Sequence, residues 1–344
     1  MKLALLTPCL ATIAALAIAP SARADGRTPG SLLIFPEFNN RLGDVSIFTI
    51  TNTNTDRGYD PSTDLLNGTV RVHFIYVGRV GSNGNPINCL EVDRDVTLSP
   101  GDTFSFLTSV HNPQQQQGFM YCYAVSPVSG LPIDFDHLIG ATIFIDGKNG
   151  IDYSTEPVSL LAVGPSSNTD LDNDGNRDLD GNEYEPLPDE ILIPRFLATG
   201  GALRSELVLL GLSGGASFQT IADLLVYNDN EEVFSAQYEF KCWDRQPLDV
   251  ISPVFTNTFL QTTNHASDEP LGATARESGW IHVDGGLAYS SIEQILDPAV
   301  YAVLVERVSR GAGASDLPFE RGEQTNGDLW PNGPWGDGVV GDNQ

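Results

Sequence analysis

A six-residue string that occurs twice limits the folds open to this chain of 344 residues. Leu33-Ile34-Phe35-Pro36-Glu37-Phe38 returns 158 residues later as Ile191-Leu192-Ile193-Pro194-Arg195-Phe196. Cys89-Leu90-Glu91 returns 153 residues later as Cys242-Trp243-Asp244, and at that spacing Ser99-Pro100 meets Ser252-Pro253, Thr103 meets Thr256 and Phe106 meets Phe259. Thr108-Ser109-Val110-His111 then meets Thr262-Thr263-Asn264-His265, and Gly118-Phe119-Met120 meets Gly279-Trp280-Ile281. A single match of this kind is cheap. An ordered series with slowly drifting spacing points to one unit present twice, over about 30–164 and 188–310.

The unit reads as β-structure. Gly43 to Thr53, Thr69 to Val77, Phe119 to Ser126 and Ala141 to Asp146 are rich in β-branched and aromatic residues with partial alternation. So are Glu206 to Leu212, Ala222 to Tyr227, Val233 to Cys242, Trp280 to Val283 and Tyr301 to Val308. Clusters such as Ser82-Asn83-Gly84-Asn85-Pro86 punctuate them, as turns between short strands do. The fold class expected is all-β: two tandem immunoglobulin-like β-sandwich domains related by internal duplication. Ser291 to Leu296 is the best helical candidate. Proline in the repeated strand suits an edge, because it cannot donate to a ladder. The Ser99-Pro100-Gly101-Asp102-Thr103 turn resembles one found in bacterial immunoglobulin-like and fibronectin-like domains.

The N-terminus predicts export. Lys2 precedes a mostly apolar run, Leu3 to Ile18, and Ala22-Arg23-Ala24 offers a small-x-small cleavage site. The run is short for a membrane span, is interrupted by Pro8 and is followed by Pro20, so no transmembrane segment is expected. Cleavage after residue 24 leaves 16 basic and 45 acidic residues, a formal charge of −29. A field of that sign repels phosphate backbones and argues against nucleic-acid partners. The expected location is secreted, periplasmic or at the cell surface. There two of Cys89, Cys122 and Cys242 can pair, or all three can stay as buried thiols. Cys89 and Cys122 are nearest in sequence, and a bond between them would contribute roughly 3–4 kcal/mol for a loop of that size; the pairing stays open.

One stretch is not repeated. Between the copies, residues 166–187 form an acidic connector containing Asp170, Asp172, Asp174, Gly175, Asn176, Asp178, Asp180, Gly181 and Glu183. In an EF-hand loop, oxygen ligands occupy positions one, three and five, glycine makes the turn at six, a backbone carbonyl serves at seven, and a bidentate carboxylate closes at twelve. Asp170, Asp172, Asp174 and Gly175 fill the early slots, Asn176 supplies the carbonyl and Asp178 falls at nine. Position twelve is Gly181, so Asp180 or Glu183 has to close the shell. A second frame, Asn176, Asp178, Asp180 and Gly181, overlaps the first. Over about fourteen residues the pair resembles the calcium loops of dockerins and thrombospondin type 3 repeats, which implies Ca²⁺ as the cofactor. The alternative is a solvated acidic linker that holds no metal. As an empty tether the connector is expected to be flexible, and with calcium to be stiff.

No catalytic residue is assigned. Gly211-Leu212-Ser213-Gly214-Gly215 fits a nucleophile elbow, but the strand–helix context it requires is missing. Asp134, Asp136 and His137 read as a polar loop. His111 and His265, at matched positions, suggest a repeated structural role. Trp243 and Trp280 replace Leu90 and Phe119 of the first copy and are expected in the core. Residues 311–344, with Trp330 and Trp335, read as a flexible tail. The domain divisions expected are 1–24 signal, 25–165 and 188–310 sandwiches, with the connector between. Three functions stay open: a non-enzymatic structural or adhesive surface protein with a calcium-stabilised joint, a carbohydrate-binding or carbohydrate-active module, and a filament subunit that lends Leu32 to Phe38 to a neighbour. A surface protein, a polysaccharide and self-association are the partners considered.

Overall fold

The computed structural model describes residues 28–228, 230–263, 277–309, 311–315 and 323–329. The signal segment, His265, Trp330 and Trp335 lie outside the described residues. The chain is all-β, with 57% strand and 5% helix. The first half contains β1 (Leu32–Asn39), β2 (Val45–Asn52), β3 (Tyr59–Asp60), β4 (Leu65–Leu66), β5 (Val70–Gly81), β6 (Pro86–Leu98), β7 (Thr103–Leu107), the helical turn α1 (Thr108–His111), β8 (Gln115–Val125), β9 (Leu138–Asp146), β10 (Ile151–Tyr153) and β11 (Val158–Leu160). The connector carries β12 (Arg177–Leu179). The second half contains β13 (Glu190–Leu197), β14 (Leu203–Gly211), β15 (Gln219–Asn228), β16 (Val233–Lys241), β17 (Trp243–Pro247), α2 (Leu248–Ile251), α3 (Asn257–Leu260), β18 (Ser278–Tyr289), β19 (Gln294–Leu296), β20 (Val300–Val308), β21 (Gly311–Ser315) and β22 (Gly327–Leu329). The expected helix at Ser291 to Leu296 is instead the strand β19, paired with β18. Among the described residues no helix is long and apolar enough to cross a membrane.

The halves share a strand order. β1-β8-β5-β6 in the first corresponds to β13-β18-β15-β16 in the second, and β9-β2-β7 corresponds to β20-β14-β17. β1 pairs with β8 through Phe35↔Met120 and Phe38↔Gly118, with a bulge between. β13 pairs with β18 through Ile193↔Ile281 and Phe196↔Gly279, with the same bulge. Pro36 and Pro194 sit at these bulges, where no ladder donor is missed. That is why β1 tolerates proline although it lies inside its sheet, between β11 and β8. Gly118 and Gly279 are equivalent for a steric reason: a Cβ would meet the carbonyl oxygen of Val77 at 2.0 Å in one half and of Tyr227 at 2.1 Å in the other.

Other matched residues occupy different places. Phe106 is on β7, whereas Phe259 lies in α3. The counterpart of β7–α1 is β17–α2: each pair follows a long strand and lines the edge of β2 or β14.

Alternation on β2 buries every second residue. Those side chains meet the facing sheet, with Phe48 stacked on Phe35 at 4.9 Å, and Phe106 of β7 edge-on to Phe74 at 5.6 Å. In the second half Phe196 meets Phe255 at 5.2 Å. Residues from all four large sheets join one hydrophobic core. The arrangement resembles a four-blade propeller more than two clearly separate immunoglobulin-like domains.

The halves are joined covalently and by buried polar contacts. Cys89 on β6 forms a disulfide with Cys242, between β16 and β17 (Sγ–Sγ 2.02 Å). Of the pairings left open by the sequence, Cys89–Cys122 is not the one formed. β5 lies between their strands. Two inter-strand steps of about 4.8 Å exceed the roughly 7 Å Cα reach of a disulfide. Cys122 is a buried free thiol whose pKa burial raises.

The Trp243 indole donates to the Pro36 carbonyl at 2.9 Å, which fixes this tryptophan in the core between halves. Arg245 reaches from β17 to Glu37 on β1 at 2.7 Å and to Glu206 on β14 at 2.8 Å. It also donates to the Tyr153 hydroxyl, which in turn donates to Glu37. Arg307 bridges Glu206 at 3.2 Å and Asp146 at 3.4 Å. Charges this deep are tolerable because each has a partner.

Candidate metal centre

The connector folds back on the first half. Val163 N donates to the Glu183 carbonyl at 2.8 Å and Glu185 N to the Leu161 carbonyl at 3.0 Å, which closes the loop at its base. Leu179, Tyr184 and Leu187 are fully buried and belong to the common core. Thr169 and Tyr184 join hydroxyls at 3.0 Å, and β12 pairs with β22. The connector is therefore a packed element held at both ends, not the free tether its composition suggested. Its apolar residues at 179, 184 and 187 provide the anchorage.

The fold gathers the acidic side chains. One oxygen from each of Asp170, Asp172 and Asp174 lies within 4.8 Å of the others, and the same holds for Asp172, Asp178 and Glu183. Asp172 is common to both groups. Gly175 (φ +88°) and Gly181 (φ +80°) turn the chain in the left-handed region, as glycine at the sixth position of a calcium loop does.

Of the two closing candidates, Glu183 is the one brought in. Its carboxylate accepts from Leu171 N at 2.5 Å and Asp178 N at 3.2 Å. Asp180 is turned aside to cap its own bend, accepting from Asn182 N at 2.8 Å and Glu183 N at 3.0 Å. Of the second frame, Asn176, Asp178, Asp180 and Gly181, Asp178 lies with Asp172 and Glu183. Asn176 donates its backbone and side-chain N–H groups to Asp174. That leaves both its oxygens, the backbone carbonyl and Oδ1, free to be offered.

A guanidinium reaches this cluster at Asp170. Arg177 lies in the connector and bonds Asp170 at 3.2 Å while its Cζ sits 5.1 Å over the Tyr123 ring. Nothing in the loop pattern marked Arg177 as a participant. Burial, then the neighbouring Asp328, Glu183, Asp174 and Asp172 carboxylates, pushes Asp178 up to about 7. Burial likewise raises Glu183. Burial also opposes ionisation of Asp180, but its hydrogen bonds from Asn182 and Glu183 outweigh that and hold it below the usual range. Asp170 Oδ1 is buried with no hydrogen-bond partner. An all-oxygen donor set with an unmatched buried acceptor and excess negative charge fits a hard divalent cation.

The other residues weighed for chemistry are engaged structurally. Ser213 is buried, donates to the Asn326 carbonyl at 2.7 Å and accepts from Ala299 N at 2.8 Å. Gly214 and Gly215 after it are turn residues at positive φ, so no helix follows the strand. Asp136 accepts from the Ser31 hydroxyl and from Ala162 N. His111 bonds the Tyr76 hydroxyl at 2.8 Å among Phe74, Phe104 and Phe106. Burial and Arg94 lower it to about 4. Trp280 is not a core residue like Phe119. It stacks on Tyr227 at 4.0 Å and keeps 37% of its surface exposed.

No protein-family model matches this sequence, and a comparison with the curated proteins returned no relative.

Proposed function

We propose that this is an exported, non-enzymatic structural or adhesive protein, built from two duplicated immunoglobulin-like β-sandwich units, with Ca²⁺ held in the connector between them. The observation that carries the reading is a pair of carboxylate triplets that share Asp172 (Asp170, Asp172 and Asp174; Asp172, Asp178 and Glu183) in a doubly glycine-turned loop. These carboxylates and the Asn176 carbonyl would hold the ion. Its role there would be charge neutralisation: it lets carboxylates that repel one another stay ionised in a packed loop. The larger, flexible coordination shell of calcium suits this set better than the near-octahedral demand of magnesium.

Common strand order and the shared Pro-bulge and Gly contacts support duplication. The disulfide between the halves is consistent with an oxidising compartment. Because the disulfide and the Arg245 cluster also tie the halves together, calcium at this joint acts on the connector itself. Limited proteolysis of the full chain in calcium and in chelator tests this. Calcium is expected to protect bonds within 170–183, and Asp172→Asn with Asp174→Asn to abolish the protection. Identical digests in calcium and chelator would refute it.

A further inference from the structure

The outer face of the β13-β18-β15-β16 sheet carries polar groups in register across four strands. Glu190 is paired with Asp284, Asp284 with Asp223, and Asp223 with Gln237. The next row outward-facing on the same pleat holds His282, Leu225 and Ser235, and the one after it holds Trp280 and Tyr227. Side chains two apart on a strand share a face, about 7 Å from one another. The first two rows line a trough of about 540 Å³, within the size range of small-ligand sites. Trp280 and Tyr227 stand at its end as a parallel stacked pair.

Three carboxylates side by side destabilise a sheet. His282 meets Glu190, and Gln237 donates to Asp223 at 2.7 Å. At Asp284, burial with Asp297, Glu190 and Asp189 nearby pushes the carboxyl up to about 6. The oxygens are spread along the row instead of converging on a point as those of Asp170, Asp172 and Asp174 do. A spread row of acceptors, with an amide, a hydroxyl and an imidazole, matches several hydroxyl groups better than one metal ion. The partly exposed Trp280 indole, stacked on Tyr227, supplies apolar area with a defined plane, suited to the C–H face of a pyranose ring.

We propose that this trough binds a neutral or amino-sugar oligosaccharide, with Trp280 as the stacking platform and Asp284, Asp223 and Glu190 as acceptors for ring hydroxyls. Acidic glycans are excluded by the carboxylate row. The proposal goes beyond the calcium reading and does not depend on it. The full chain is screened on an array of neutral, amino and acidic oligosaccharides, and the strongest hit is the probe for calorimetry. Saturable binding to neutral or amino sugars is expected, persisting in EDTA, which separates it from the connector. Trp280→Ala and Asp284→Asn should each weaken it about tenfold or more. Both side chains are partly exposed, and thermal melts establish that the variants fold. Should Trp280→Ala fail to fold, Asp284→Asn carries the test alone. No saturable neutral or amino sugar on the array, wild-type affinity in the folded variants, or a preference for acidic glycans or basic peptides would overturn the proposal.

Discussion

Removing the Cys89–Cys242 bond by a Cys89→Ser, Cys242→Ser double substitution separates the covalent tie from the contacts around it. The two cysteines are 153 residues apart in sequence. Cross-linking a loop of that length withdraws chain entropy worth about 5 kcal/mol at 25 °C from the unfolded ensemble. Residual structure in unfolded chains lowers such figures, so a loss of roughly 3–5 kcal/mol is expected. The native fold should survive, because Trp243, Arg245 and Arg307 still join the halves. The assay is urea unfolding of wild type and double variant, followed by fluorescence and circular dichroism, with coincident transitions as the check on two-state treatment. Peptide mapping without reductant identifies the pair. A loss below about 1 kcal/mol would contradict the loop-entropy reasoning. A cross-linked peptide containing Cys122 would contradict the topology that separates it from Cys89.

Three further outcomes follow from buried groups. Arg245→Met leaves Glu37 buried without its cation, while Glu206 keeps Arg307; it should destabilise by about 3–5 kcal/mol in denaturant melts, and adding Glu37→Gln should recover most of it. His111 is held near 4 when folded, against 6.5 for the free side chain. Its contribution is therefore complete above pH 6.5 and lost as pH falls toward 4, by about 3 kcal/mol, a slope that His111→Gln should flatten in melts at stepped pH. Gly118→Ala and Gly279→Ala should each cost at least about 1–3 kcal/mol, since the new methyl meets backbone oxygen in both halves. A tolerated substitution at either glycine, measured by thermal melting, would contradict the equivalence.

The repeat was legible where both copies meet the same backbone constraint. Pro36 and Pro194 share a bulge, and Gly118 and Gly279 share a close approach that only hydrogen fits. It misled where loop lengths differ. Phe106 and Phe259 match in the string but not in space, while β7–α1 and β17–α2 correspond without similar residues. The disulfide was unreadable because sequence proximity says nothing about an intervening strand. Trp280 matched Phe119, yet Phe119 is buried in the core and Trp280 keeps 37% of its surface exposed.

In the connector, the alternation of Asp170, Asp172 and Asp174 marked side chains that the fold does bring close together. The choice of Glu183 over Asp180 depended on hydrogen bonds to Leu171, Asp178 and Asn182 that a spacing rule does not contain. The tether reading missed the anchorage because burial of Leu179, Tyr184 and Leu187 is a tertiary fact.

Calorimetric titration of the full chain with calcium, alongside Asp172→Asn, tests the metal centre most directly. Asp172 belongs to both carboxylate groups, so the account predicts one ion per chain and loss of saturable binding when Asp172 alone is changed. No heat of binding, or an unchanged isotherm for Asp172→Asn, would contradict it.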